Sequence, residues 1–175
     1  MEGMERLRHD ERVAVARLNA LLELLPAALD RHLAGTGLTS FEFTLLEALN
    51  EADAKRLRLS ALAARTNATL PRLSRVVTGL ERKGLVARVA CEQDGRATNA
   101  VLTTAGERAF QQTRPLHDHA VRDMILEGLG DDGVARLAAV SYAILTRLDP
   151  DRRLAVTAGE PDTCPADPEA PHARI

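Results

Sequence analysis

The segment LPRLSRVVTGLERKG, residues 70–84, decides how the chain is read. At 100° per residue, Leu70, Leu73, Val77 and Leu80 fall on one side of a helix. Arg72, Arg75, Arg82 and Lys83 gather about 150° away. One face is built for a core and the opposite face is cationic. Pro71 suits a first turn, where its missing N–H costs little, and Thr69 stands where a cap belongs. Gly84 ends the pattern. The spacing therefore predicts a helix from Leu70 to about Lys83.

Before this helix, Ser60 opens a short one holding Leu62 and Ala63. It closes at Thr66-Asn67, where Asn67 tolerates the left-handed conformation of a tight turn. After it, residues 85–91 and 97–103 read as two strands around the turn EQDGR, with Arg96 at the tip. Thr39 with Glu42 forms a capping box for a helix carrying Phe43, Leu46 and Leu49, and Thr104 with Glu107 forms another. The second box starts a long helix that Pro115 bends, running to about Glu127. A last helix follows Asp131-Asp132, with Val134, Leu137, Val140, Ile144 and Leu148 as its apolar stripe. At the N-terminus a helix from about Glu5 to Ala34 repeats Leu18, Leu21, Leu22, Leu25 and Leu29 at three- and four-residue steps, with Pro26 expected to kink it.

Composition agrees with packed helices. Hydrophobic residues make up 45% of the 175, but aromatics only 2% and Trp is absent, so Leu, Val and Ala must build the core. The net charge is −2 overall, yet ten Lys or Arg stand against three acids between Lys55 and Arg96. Positive charge is concentrated where the helix–turn–helix pattern lies, which points to a nucleic-acid partner. Only Lys55 and Lys83 are lysine; the rest are arginines, which favour forked contacts to phosphate and guanine.

Other classes are poorly supported. The N-terminus MEGMERLRHDER has no apolar signal core, and the run from Leu18 to Leu29 is broken by Asn19, Glu23 and Pro26. A soluble, cytoplasmic protein with no membrane partner is expected. Cys91 and Cys164 do not make a disulfide framework. His117 and His119 lie two apart, on different helix faces, so no metal is expected and no cofactor is implied. With no Ser/His/Asp set, phosphate-cradling glycine loop or paired carboxylates, the chain is not read as an enzyme. Five of the eight prolines fall from Pro150 onward, and residues 150–175 are expected to form a disordered acidic tail.

The ordered set of features resembles the MarR family of bacterial transcription regulators over roughly residues 8–149. TLPRLSRVV is similar to the start of that family's recognition helix. Asp94-Gly95-Arg96 matches its wing tip, and Leu102-Thr103 followed by Gly106 its wing exit. The resemblance implies a mainly α fold with a small β-wing: a winged helix–turn–helix lobe (37–104) between dimerisation helices (1–36 and 105–149). It further implies a homodimeric repressor on a pseudo-palindromic duplex operator, released by a small-molecule effector.

Within that frame Arg72 and Arg75 are the candidate base readers, because the N-terminal part of such a helix enters the groove deepest. Ser60, Thr69 and Ser74 offer hydroxyls to phosphate. Arg88 is expected on phosphate, and Lys83 with Arg82 on phosphate or an intramolecular partner. Arg96 suits the narrow minor groove, with Asp94 pairing it or Arg88 to hold the wing. Leu29, His32, Phe41, Phe43 and His117 are expected to line an apolar effector cleft. Two rival readings stand beside this one. The first is a winged-helix protein-interaction module that does not read DNA. The second is a thiol-oxidation sensor in which Arg88 lowers the pKa of Cys91.

Overall fold

The computed structural model describes residues 6–91, 94–130 and 132–157, with the side chains of 94–96 excluded. The helices are α1 (His9–Leu33), α2 (Ser40–Glu51), α3 (Leu59–Arg65), α4 (Leu70–Arg82), α5 (Thr104–Val121) and α6 (Gly133–Leu148). The strands are β1 (Arg56–Arg58), β2 (Val86–Cys91) and β3 (Asp94–Leu102). A single π turn, Arg122–Leu126, prolongs α5. Pro26 and Pro115 lie inside α1 and α5.

Local chemistry sets most boundaries. Thr39 and Glu42 make the expected reciprocal cap: the Glu42 N–H donates to Thr39 Oγ1 at 3.1 Å, and the Thr39 N–H to Glu42 Oε2 at 2.9 Å. Asn67 turns with φ 53° between α3 and α4. Gly84, at φ 71°, closes α4 in a Schellman-like end, with the Leu85 N–H donating to the Leu80 carbonyl at 2.9 Å. The second cap lies one residue earlier than expected. Thr103, not Thr104, accepts from the Gly106 N–H at 3.0 Å, and Glu107 pairs instead with Lys55. Thr69 occupies the cap position of α4 by backbone alone, without a side-chain bond.

The sheet has three strands, not two, in the order β1-β3-β2, all antiparallel. Leu57 of β1 faces Ala100, and Val86 of β2 faces Leu102. The hairpin carries an irregularity between Ala90 and Cys91. Beneath it α2, α3 and α4 close one core around Phe43, Leu45, Leu46, Leu49, Leu57, Leu62, Leu73, Val77 and Leu80, with Phe110 of α5 and Leu33 of α1 plugging it from above. Leu70 is not part of it: half its surface is exposed in the first turn of α4.

Helix α6 buries no residue, and Val134, Leu137, Val140, Tyr142, Ile144 and Leu148 are all exposed, as are Leu18, Leu21, Leu22 and Leu24 of α1. One further finding departs from the sequence-based expectations. The segment 150–157, expected with the tail to be unstructured, is folded. Asp149 accepts from the Arg153 and Leu154 amides at 3.0 and 2.9 Å, and the Ala155 N–H donates to the Ala64 carbonyl of α3 at 3.0 Å. Residues 158–175 lie outside the described residues. No described helix is long and apolar enough to cross a membrane.

Candidate nucleic-acid interface

Helix α4 presents its cations as its periodicity requires. Leu73, Val77 and Leu80 are buried, and Arg72, Arg75 and Arg82 are exposed on the other side. Arg72 is held by α2: its guanidinium carbon lies 4.3 Å from the centre of the Phe41 ring. Stacking on a ring face leaves the in-plane N–H donors free to point outward. Arg75 is braced within its own helix, with Nε donating to the Pro71 carbonyl at 3.4 Å.

A groove lies on each side of α4. One, of about 530 Å³, is lined by Thr39, Glu42, Arg72, Arg75, Val76 and Gly79. The other, of about 320 Å³, includes Arg58, Ser60, Leu70, Ser74 and Thr98. Ser60 and Thr69 are both exposed, and Ser60 lines the second groove together with Ser74. Arg58 and Thr98 are lining residues that the sequence reading missed. The sequence signal for Arg58 is the alternation of Arg56, Leu57 and Arg58, three residues that make the edge strand β1, and Thr98 lies in the second strand read from the sequence.

Arg88, expected on phosphate, points its guanidinium back into the lobe. Nη1 donates to Glu81 Oε2 at 2.7 Å and to Thr78 Oγ1 at 3.1 Å, while Nη2 donates to the Ser74 carbonyl at 2.8 Å and Ser74 Oγ at 3.2 Å. One side chain of β2 thus clamps about two turns of α4, from Ser74 to Glu81. The Ser74 hydroxyl is engaged there rather than standing free. Lys83 is also spoken for: Nζ sits 2.7 Å from Glu42 Oε1 and 2.9 Å from the Gly37 carbonyl. It ties the C-terminal end of α4 to the cap of α2, which takes it out of the leading candidates for DNA contact.

Asp94 and Arg96 are in β3 by backbone, but their side chains lie outside the described residues. Arg88, offered as the source of positive field for Cys91, is engaged with α4. Arg58 Nη2 lies 3.9 Å from the Cys91 sulfur instead, and Cys91 is buried.

Of the five residues expected to line an effector cleft, Phe43 and His117 are brought into contact, and Phe41 is turned away from them. Phe41 and Phe43, two apart on α2, lie on opposite sides of the helix. Phe41 faces Arg72, whereas Phe43 is sealed in the core, its ring centre 5.3 Å from Phe110 and 4.0 Å from His117. His32 approaches His119, at 6.0 Å between ring centres, and Leu29 is half-buried on α1. Behind this cluster burial, and then the like charge of Glu51, pushes the Glu47 carboxyl up from its ordinary range.

Gly79 lies on the groove face of α4, and a Cβ built there meets nothing within 4 Å. Gly79→Ala is therefore expected to stabilise the fold by up to about 1 kcal/mol through helix propensity alone. Urea denaturation checks this, and a loss of stability would show that the open space is needed.

A helix–turn–helix followed by a β-hairpin that β1 completes into a three-stranded sheet, with arginines along the exposed side of its second helix, defines a winged-helix DNA-binding lobe. Comparison with known proteins narrows the class. A sequence profile described as MarR family matches residues 36–97. The HTH-type transcriptional repressor YetL of Bacillus subtilis (strain 168) is 31% identical over 114 residues, covering 59% of this chain and 68% of that protein. The structure resembles AbsC, a MarR family transcriptional regulator from Streptomyces coelicolor, with a TM-score of 0.79 and 30% identity over 84% of this chain and 99% of that one. It also resembles Sco3205, a MarR family regulator from the same organism solved in complex with DNA, with a TM-score of 0.82 and 29% identity over 92% and 98%. The chain belongs to the MarR family of transcriptional regulators.

Proposed function

We propose that the protein is a cytoplasmic homodimeric repressor that occupies a pseudo-palindromic operator and leaves it when a small ligand binds. The observation that carries this reading is the exposed pair Arg72 and Arg75 in the first two turns of α4, opposite a fully buried Leu73-Val77-Leu80 stripe. Each arginine is free to fork onto guanine, and a hairpin stands at the flank to reach an adjacent groove.

Dimerisation is supported by the apolar faces of α1 and α6. Six large side chains exposed along one 16-residue helix are far more than scattered surface hydrophobics, and a second copy is the self-complementary partner a twofold supplies. The dimerisation segments are 1–36 and 105–149, flanking the lobe at 37–104. Because β3 passes into α5 within one residue, movement among the dimer helices is carried to the wing. Half-sites one turn apart need recognition helices about 34–36 Å apart, so a modest change of lobe spacing releases DNA.

Footprinting on the duplex upstream of the gene tests this. A protected stretch with dyad symmetry is expected, with affinity falling by a log–log slope of about −0.9 per phosphate as salt rises. Arg75→Ala is expected to weaken operator binding at least about fivefold while leaving the dimer intact. No protection and no salt dependence would favour the protein-interaction module instead.

A further inference from the structure

The chain leaves the winged lobe along α5 and, after α6, returns to it at Ala155. We propose that Asp149 is a positioning residue for operator binding. It folds residues 150–157 into a strap that fastens the end of α6 to the end of α3, and so fixes the recognition helix relative to the dimer helices. The proposal rests on the dimeric DNA-binding function proposed for the chain.

The strap is built around one carboxylate. Asp149, which ends α6, accepts from the Arg153 N–H on Oδ1 at 3.0 Å and from the Leu154 N–H on Oδ2 at 2.9 Å. The Thr157 hydroxyl donates to the same Oδ2 and approaches the Leu154 carbonyl at 3.1 Å. Asp149 and Thr157 are both buried, while Pro150, Asp151, Arg152 and Arg153 are exposed around them. Arg152 is held at φ 51°, a region a side chain enters at a cost. Three donors converging on one carboxylate outweigh that cost and fix the turn. The same donors, the Thr157 hydroxyl first, hold the Asp149 carboxyl below its ordinary range.

The strap lands just ahead of the turn into the recognition helix. Ala64 lies in the last turn of α3, where carbonyls lack helical partners, and the Asn67 N–H reaches it only at 3.4 Å. The Ala155 N–H donates to that carbonyl at 3.0 Å. Three residues later the Asn67 turn sets the angle at which α4 leaves. Helix α6 thereby gains a second hold on the reading head besides α5. In a dimer paired through α6, such a hold restrains the distance between the two recognition helices.

The test uses the full chain, with Asp149→Ala, Thr157→Val and the conservative Thr157→Ser. The probes are the duplex protected in footprinting and the same duplex with two base pairs inserted at its dyad. The wild type is expected to prefer the native spacing, and Asp149→Ala and Thr157→Val to erode that preference at least about fivefold, with Thr157→Ser retaining it. A variant that merely lowered the folded fraction would weaken both duplexes equally. Hydrogen exchange at the Ala155 amide, read without DNA, should accelerate in the same two variants. A wild type that protects no DNA overturns both the regulator reading and the strap's role. A wild type that binds, with spacing preference unchanged in Asp149→Ala, overturns the strap alone.

Discussion

Replacing Gly106 with alanine is expected to destabilise the fold by at least about 2 kcal/mol, although propensity alone would favour alanine in a helix by about 1 kcal/mol. A Cβ at this position falls 2.0 Å from the Leu85 carbonyl oxygen, 2.9 Å from its carbon and 2.8 Å from Leu102 Cδ1. The Leu102 methyl can swing aside. The Leu85 carbonyl cannot, because it accepts from both the amide and the hydroxyl of Thr103, each at 3.1 Å. Moving it would undo the cap of α5 and the junction between β2 and the helix that leaves the lobe. The measurement is urea denaturation beside Gly79→Ala. The same chemical change should move the two midpoints in opposite directions, and a stable Gly106→Ala would mean that α5 docks less closely than described.

The second large effect is expected at Arg88. Truncation to alanine leaves the Glu81 carboxylate and the Ser74 carbonyl without their charged donor. A buried pair broken this way costs about 3–5 kcal/mol, but both partners here are more than a quarter exposed, so about 1–2 kcal/mol is the expected loss. Operator affinity should fall further than that loss explains, by at least about tenfold, because the wing and α4 lose the strut that sets their angle. Arg88→Lys should be intermediate: an ammonium can meet Glu81, but it lacks the fork that reaches Ser74 as well. Gel-shift titration on folded protein separates the two effects. Wild-type affinity in Arg88→Ala would assign the clamp to stability alone.

Arg88 also marks where the sequence stops being legible. Its position midway along a basic strand is readable, but strand alternation says only which sheet face a side chain takes. It does not say that α4 packs against that face and offers an acid, two hydroxyls and a carbonyl. Lys83 misleads in the same way: its angle on the helix wheel matches that of Arg72, and the Glu42 carboxylate that claims it is 41 positions earlier. Features closed within a few residues are readable, such as the Thr39–Glu42 cap, the Asn67 turn and the Gly84 stop. Thr103 and Thr104 differ by one step, and only the location of the strand end decides between them. Strand β1 stays hidden because three residues are too few to display a period, and its pairing with β3 is long-range. The strap stays hidden because a proline-rich, acidic stretch reads as solvated until Asp149 is seen gathering its donors.

The internal ion pairs also change how strongly the lobe is charged toward a polyanion. Of the ten cations between Lys55 and Arg96, four already face carboxylates: Lys55 with Glu107, Arg65 with Glu51, Lys83 with Glu42 and Arg88 with Glu81. Three of those acids lie outside the stretch, so the surrounding helices offset three of its seven excess positive charges. Those four cations are less available to displace condensed counterions from a duplex. Capture from a distance should therefore be gentler than the raw tally suggests, and tight association should depend more on the fit of the reading helix to its site.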